Sequence, residues 1–289
     1  MSEPIIGVNI EDNHISVGLV DIETRKVVRN TVQRKRVDPA GSADQIITTW
    51  SKVLREVAGA STKISIGLPG ECDYESGVLY LNEIGRYNSL YEKNLKDIFA
   101  NALGTGRENV KIMNDAACFL QGEVFAGAGR GFKKSLGVTL GVGLGSAKYN
   151  NGLVEDADLH DSPLFDGIAE DYISIRWLLS RFHDLTGIEV KDLSELKTYA
   201  TTNNSVGQVF DEFSTSLCQF LTTFIRANGP EVVVIGGFME TYNRFFFDSL
   251  TAKMTAQGIK IPILRAILGE QASIMGAASA WYDASPIHA

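Results

Sequence analysis

One carboxylate and three glycine-bearing turns are where residue type and spacing in this sequence point to chemistry. Asp115 stands where a strand-like run, Val-Lys-Ile-Met-Asn, gives way to a helical one. A carboxylate at such a junction faces the C-terminal edge of a sheet, where it can act as a general base. The same position suits a helix N-cap, since Asn and Asp are preferred there and Asn114 precedes it. The most developed turn is Thr139-Leu140-Gly141-Val142-Gly143-Leu144-Gly145-Ser146. Glycines at alternate positions let the backbone approach a ligand, and the turn's amides can point at phosphate oxygens. It leads from strand to strand, so it is neither the dinucleotide G-x-G-x-x-G, which opens a helix, nor a Walker A loop. A glycine hairpin that only satisfies backbone geometry has the same appearance.

The second turn, Ile235-Gly236-Gly237-Phe238-Met239, follows a buried strand and precedes a helix. It suits a nucleotide lying over the sheet edge, and equally a tight βα connection. The third, Gly67-Leu68-Pro69-Gly70, also ends a strand; with Asn82 as donor and acceptor it can shape a small-ligand pocket, or be a plain turn.

The elements that must position these residues follow from periodicity. PIIGVNI, HISVGLV and RKVVRNTVQRKRV read as three strands, antiparallel because the links are too short for a crossover. A helix over 42–58 carries Ile46, Trp50, Val53, Leu54 and Val57 at helical spacing. The strand TKISIGL, a helix near 90–103, the strand VKIMN and the helix DAACFLQGEVFAG complete a first half. The second half begins again with KSLGVTLGVGLGSAKYNNGLV as strands. Helices near 168–185 and 205–227, the strand EVVVIGG, a helix over 240–256, the strand IKIPILRAI and a last helix from Glu270 follow. The order repeats, which predicts two related α/β lobes.

Composition sets the outer bounds. The chain has 289 residues, 44% hydrophobic and 21% charged, enough for a sizeable core and against wholesale disorder. Lys and Arg number 27 against 35 Asp and Glu, a net charge of −8, which excludes neutralising nucleic-acid phosphates as the main task. The basic stretch Arg25 to Arg36 alternates like an exposed strand and reads as solvated surface. No basic and apolar leader is visible, and no apolar run approaches the roughly 20 residues that span a bilayer. Cys72, Cys118 and Cys218 form no CxxC pattern and fit a reduced, cytoplasmic compartment, with Cys218 on the apolar stripe of its helix.

Taken in order, these segments resemble the ROK family (repressors, open reading frames and sugar kinases) of the actin-like ATPase clan, over nearly the whole chain. Asn114-Asp115-Ala116-Ala117 with Gly122-Glu123 looks like the family's N-D-A-N-x-x-x-x-x-E block. LGVGLG is similar to its second phosphate loop, VVIGGF to its adenosine motif, and GLPG with Leu81-Asn82 to its sugar-pocket segments. The resemblance implies an α/β fold of two actin-like ATPase (ribonuclease H-like) lobes with a cleft between them. Residues 1–115 would form the N-terminal, sugar-side lobe, with 270–289 packing back on it, and 116–269 the nucleotide-side lobe.

The resemblance further implies ATP-dependent phosphorylation of a hexose or N-acetylhexosamine hydroxyl, with ATP and Mg²⁺. Asp115 would be the general base, and Asn114 and Asn82 would bond sugar hydroxyls beside Gly70. Gly141, Gly143 and Gly145 would approach the phosphates, with Gly236 and Gly237 under the adenosine. His160 and Glu170 are the nearest counterparts of a pocket histidine and glutamate, and Asn9 falls in the first phosphate loop. Sugar and nucleotide are the implied partners, with no nucleic acid, no membrane and a homodimer as the family's habit.

The sequence departs from that pattern at two places. The family's D-x-G-G-T loop is matched here by Asn9-Ile10-Glu11-Asp12-Asn13. Two carboxylates there would repel a triphosphate, at about 4 kcal/mol per pair of unit charges ~4 Å apart and an effective dielectric of ~20. Alternatively, Glu11 or Asp12 would serve as a replacement Mg²⁺ ligand, or the acidic tip would no longer touch nucleotide. Val142 also replaces a threonine of the second phosphate loop. The family's zinc loop is absent, since Glu155 to Ser174 contains no cysteine. The competing readings are a sugar-binding protein on the kinase fold with little or no turnover, and a repressor. The repressor reading is disfavoured because the first strand begins by residue 5 of an acidic chain. Metal analysis of the purified protein is expected to find no structural zinc; a stoichiometric zinc contradicts that expectation.

Overall fold

The computed structural model describes residues 3–11, 13–81 and 86–282, and the side chains of all of these except 239 and 240. The chain divides into two units, Met1–Arg130 with Glu270–Ala289, and Gly131–Gly269.

The first unit starts from β-branched runs. β1 (Ile5–Ile10) is buried along its whole length and pairs antiparallel with β2 (His14–Asp21). The expected third strand is two short ones, β3 (Lys26–Val27) and β4 (Gln33–Arg36), both on β2. Between them Asn30 takes a left-handed φ of 60°, and the Thr31 hydroxyl donates to the Val28 carbonyl while accepting the Leu19 amide. That kink interrupts the ladder. α1 (Ala43–Ala58) begins at a Ser42–Gln45 capping box and buries Ile46, Trp50, Val53, Leu54 and Val57. β5 (Ile64–Leu68) lies parallel to β1, and the short pair β6 (Cys72–Asp73) and β7 (Val78–Leu79) follows. α2 (Leu95–Leu103) starts later than its periodicity suggests, because residues 88–90 form a 3₁₀ turn and Asn94 is the cap. β8 (Val110–Asn114) runs straight into α3 (Asp115–Ala126).

The second unit opens with the antiparallel strands β9 (Lys134–Leu140), β10 (Leu144–Asn150) and β11 (Leu153–Asp156). A two-residue-wide hairpin, β12 (Pro163–Leu164) and β13 (Gly167–Ile168), leads into α4 (Ala169–Tyr172) and α5 (Ile175–Thr186). The expected single helix here is broken at Ile173, whose backbone leaves the helical region so that Ser174 can cap α5. α6 (Leu193–Thr198) and α7 (Ser205–Asn228) follow, and α7 buries Val206, Val209, Phe210, Phe213, Leu217, Phe220, Leu221 and Phe224. β14 (Val232–Gly237), α8 (Met239–Tyr242), α9 (Phe247–Ala256) and β15 (Ile263–Arg265) complete the unit. Here too a 3₁₀ turn over 243–245 divides what periodicity reads as one helix. The final element is α10 (Gln271–Ser279).

The two sheets follow one path. The order β3-β2-β1-β5-β8 in the first matches β11-β10-β9-β14-β15 in the second, three antiparallel strands and then two parallel ones. The duplication expected from element order is therefore present in strand order as well.

The sequence expectation ended the first lobe at residue 115, but α3 belongs wholly to the first unit. The reason is its contact with α10. A Cβ on Gly122 would lie 2.0 Å from the Ala272 carbonyl oxygen, and one on Gly276 would lie 1.7 Å from that of Cys118. Likewise a Cβ on Gly7 of β1 would sit 2.2 Å from the Ile274 carbonyl oxygen. Backbone meets backbone at each point, so neither side can yield cheaply. Gly276→Val is expected to lower unfolding stability by about 2 kcal/mol or more, at the upper end for overpacking. Chemical denaturation measures it; a change within about 0.5 kcal/mol, the range of an ordinary surface substitution, contradicts the packing described.

Candidate active site

Asp115 is the first residue of α3, and Asn114 is the cap. The Asn114 Oδ1 accepts the Ala117 amide at 3.0 Å, with extended backbone angles of φ −64° and ψ 144°. Capping thus falls to Asn114, and the half-buried Asp115 carboxylate accepts the neighbouring Ala116 amide at 2.8 Å. The helix N-terminus favours a negative charge there.

Strand register builds outward from this point. Met113 pairs with Gly67, Gly67 with Asn9, Asn9 with Ser16, and Ser16 with Arg34, one row crossing β8, β5, β1, β2 and β4. Gly67 carries no side chain because a Cβ there would lie 2.9 Å from the Cys118 Sγ on α3. Asn9 is 7% exposed; its Nδ2 donates to the Glu11 carboxylate at 3.1 Å, and its buried Oδ1 has no hydrogen-bond partner among the described residues. The other Glu11 oxygen accepts from Arg34 at 2.9 Å, and Arg34 also reaches Glu270 at 2.5 Å. The Glu11 amide donates to the His14 carbonyl, so this turn is a closed hairpin with that amide spent. The charge of Glu11, for which repulsion of a triphosphate, magnesium ligation and a tip clear of nucleotide are the three alternatives, is balanced by Arg34. Asp12 and Asn82 lie outside the described residues. Gly70 has φ +86°, so its conformation favours glycine, while a Cβ there would meet only the movable tip of the Leu81 side chain, at 2.8 Å.

In the second unit the turn at the end of β9 is fastened from outside. The Gly141 amide bonds the Gly143 carbonyl, and the Gly141 carbonyl accepts from Ile175. Glu170 Oε2 accepts the Leu144 amide at 2.9 Å, and a Cβ on Gly143 would lie 2.5 Å from that oxygen. Glu170 Oε1 pairs with Arg176 at 2.5 Å, and the Glu170 amide donates to the His160 carbonyl. The structure therefore brings Glu170 to the glycine turn just before Gly145 of β10, whereas His160 meets Glu170 through its carbonyl and its ring pairs with Asp158 at 3.1 Å. Gly236 and Gly237 end β14 beside Thr139 and Leu140 of β9. Gly237 has φ +82°, and a Cβ there would lie 2.0 Å from the Leu140 carbonyl oxygen.

Sequence reasoning missed Arg34, Glu270 and Arg176. Arg34 was placed in a solvated basic strand, and only the pairing of β4 with β2 brings it into the row of Asn9. Glu123 is fully buried, its carboxylate accepting the Ala128 amide at 2.7 Å beyond the end of α3.

The chain matches the ROK family over residues 5–155, more than half its length, and belongs to that family. It is 23% identical to an N-acetyl-D-glucosamine kinase of Pectobacterium carotovorum, with 94% of this chain and 97% of that protein covered. It is 24% identical to a glucokinase of Thermotoga maritima, with 95% and 96% covered. A ROK family glucokinase from Streptomyces griseus, solved with glucose and AMPPNP, superposes with a TM-score of 0.77 at 21% identity, covering 96% of this chain and 98% of that one. The fold is the two-lobed α/β fold of the actin-like ATPases. No helix among the described residues is long and apolar enough to cross a membrane.

Cys118 lies one turn beyond Asp115 and reports on the local field. Burial, then the Asp115 charge, push its thiol far above the usual range. Burial, then Asp73, push Cys72 up to about 11. At pH 8 a thiol with that value is ionised only on the order of one part in a thousand, and the thiolate is the reactive form. Ellman titration of the native protein is expected to find no fast-reacting thiol, with all three appearing in denaturant; a rapid native reaction contradicts this.

Proposed function

We propose that the chain transfers the γ-phosphoryl group of ATP to a hydroxyl of a hexose or N-acetylhexosamine, with Asp115 as general base. The observation that carries the proposal is the division of labour at α3. Asn114 caps the helix, and the half-buried Asp115 carboxylate, bonded by the Ala116 amide, stands at the C-terminal edge of the sheet. Kinship with kinases named for N-acetyl-D-glucosamine and glucose supports the substrate class.

In the reaction the acceptor hydroxyl gives its proton to Asp115 as its oxygen bonds to the γ-phosphorus. The bond from that phosphorus to the bridging oxygen breaks in line, and ADP leaves with the electron pair. The Ala116 amide holds the carboxylate in one orientation, so little reorganisation accompanies the transfer. Asn114, Gly70, Asn82, His160 and Glu170 are the proposed sugar contacts. A hydroxyl reaching Glu170 would compete with Arg176 for one carboxylate oxygen. Gly141, Gly143 and Gly145 would lie along the phosphates, and Gly236 and Gly237 under the base.

The residues present fit a magnesium ion. Magnesium takes oxygen donors and is held by one or two carboxylates together with substrate phosphates and water. The buried Asn9 Oδ1, unpartnered among the described residues, would supply one such oxygen, and the Glu11 carboxylate, each of whose oxygens accepts one hydrogen bond, from Asn9 and from Arg34, would supply another through a remaining lone pair. When bound it would neutralise developing charge on the phosphates.

A second reading, sugar binding with little or no turnover, is favoured by one observation: the Glu11 amide is spent on His14 and so is withdrawn from the phosphate turn. A coupled ADP-release assay across hexoses and N-acetylhexosamines separates the two. Turnover by the wild type is expected, and Asp115→Asn should lower kcat by about 10²- to 10⁴-fold, the usual contribution of a general base. Sugar affinity should stay within a few-fold. Sugar binding without ADP release establishes the second reading, and undiminished kcat in Asp115→Asn removes that residue from the base role.

A further inference from the structure

The first phosphate turn has lost its glycines, and an arginine stands beside it. We propose that Arg34 is the group of the first unit that contacts the phosphates of the donor, in place of turn amides; this rests on the kinase reading above. The register puts Arg34 in the row of Asn9 and Ser16, two residues in from the hairpin tip, and its side chain reaches forward to Glu11 at that tip. Its guanidinium has five N–H donors in a planar fork suited to phosphate. One bond to Glu11 and one to Glu270 are made, and the side chain is 39% exposed. Donors therefore remain to receive a ligand oxygen.

A phosphate arriving here exchanges one charge-assisted pair for another, because it displaces a carboxylate from the same guanidinium. Glu270 is the carboxylate more readily displaced, being 68% exposed against 37% for Glu11. The Asn9 Nδ2 holds Glu11 from the opposite side, which keeps that carboxylate, and with it Arg34, at the tip. The Asn9 Oδ1, without a partner among the described residues, is an acceptor and is suited to the cation that accompanies the phosphates, not to the phosphates themselves.

The test is calorimetric affinity for AMPPNP with Mg²⁺, and for inorganic tripolyphosphate, in wild type, Arg34→Ala, Arg34→Lys and Glu270→Gln. Arg34→Ala is expected to weaken both ligands about tenfold or more, with sugar affinity and melting temperature unchanged. Arg34→Lys should recover part of the loss, as a point charge without the fork. Glu270→Gln should tighten both ligands a few-fold, because the guanidinium loses a competitor. Affinities within twofold of wild type in Arg34→Ala overturn the proposal. Equal weakening by Glu270→Gln also overturns it, since the network would then be structural. Should Arg34→Ala not fold, unchanged or weaker binding by Glu270→Gln is sufficient to reject it. ADP release with nucleotide affinity indifferent to Arg34 leaves the kinase reading standing; wild type that binds neither ligand overturns both.

Discussion

The first unit depends on a helix pair that touches backbone to backbone. Gly122 of α3 and Gly276 of α10 each face a carbonyl oxygen at a distance that excludes any side chain, and Gly7 of β1 does the same beneath α10. Such contacts leave no freedom to slide, because interiors are packed near crystal density and neither backbone can rotate away. They tie the end of the chain to its first strand. They also set the direction of α3, and so the place of the carboxylate at its first position. The Asp115 carboxylate is thus placed by glycines, Gly122 and Gly276, that lie 7 and 161 positions further along the sequence.

Around that frame, charge is handled locally. At the turn after β1 a glutamate is held by the Asn9 amide and answered by an arginine from a neighbouring strand. At the second turn a glutamate accepts a turn amide and is answered by an arginine one helix further on. In both, a carboxylate is neutralised at hydrogen-bond distance, within the few ångströms where such pairing is strongest. Both pairs lie partly in solvent, where their value is in position more than in stability.

Much of this was legible from residue order. The alternation of β-branched runs with helical ones gave two matching halves, and the junction VKIMN-DAACF placed Asp115 at a strand end because strand and helix periods change there. What sequence could not show was the reach of side chains across strands. Arg34 and Glu11 are distant in sequence and meet only because β4 pairs with β2 beyond the kink at Asn30, a tertiary choice that no local pattern encodes. Glu170 was noticed as a match to a sugar-contacting residue. Its bond to the Leu144 amide was hidden, since Gly143 has the same look whether a phosphate or a carboxylate approaches. The domain limit was misplaced after residue 115 for a related reason: α3 looks like the start of a new half until α10 is seen to return and clasp it.

The central claim is that the carboxylate at residue 115 faces the hydroxyl that receives phosphate. A crystal structure with AMPPNP, Mg²⁺ and the best sugar acceptor tests it most directly. The account predicts one sugar hydroxyl about 2.6–3.2 Å from an Asp115 carboxylate oxygen and turned toward the γ-phosphorus. A sugar bound with no hydroxyl near that carboxylate, or with Asp115 turned into contacts of its own helix, contradicts it.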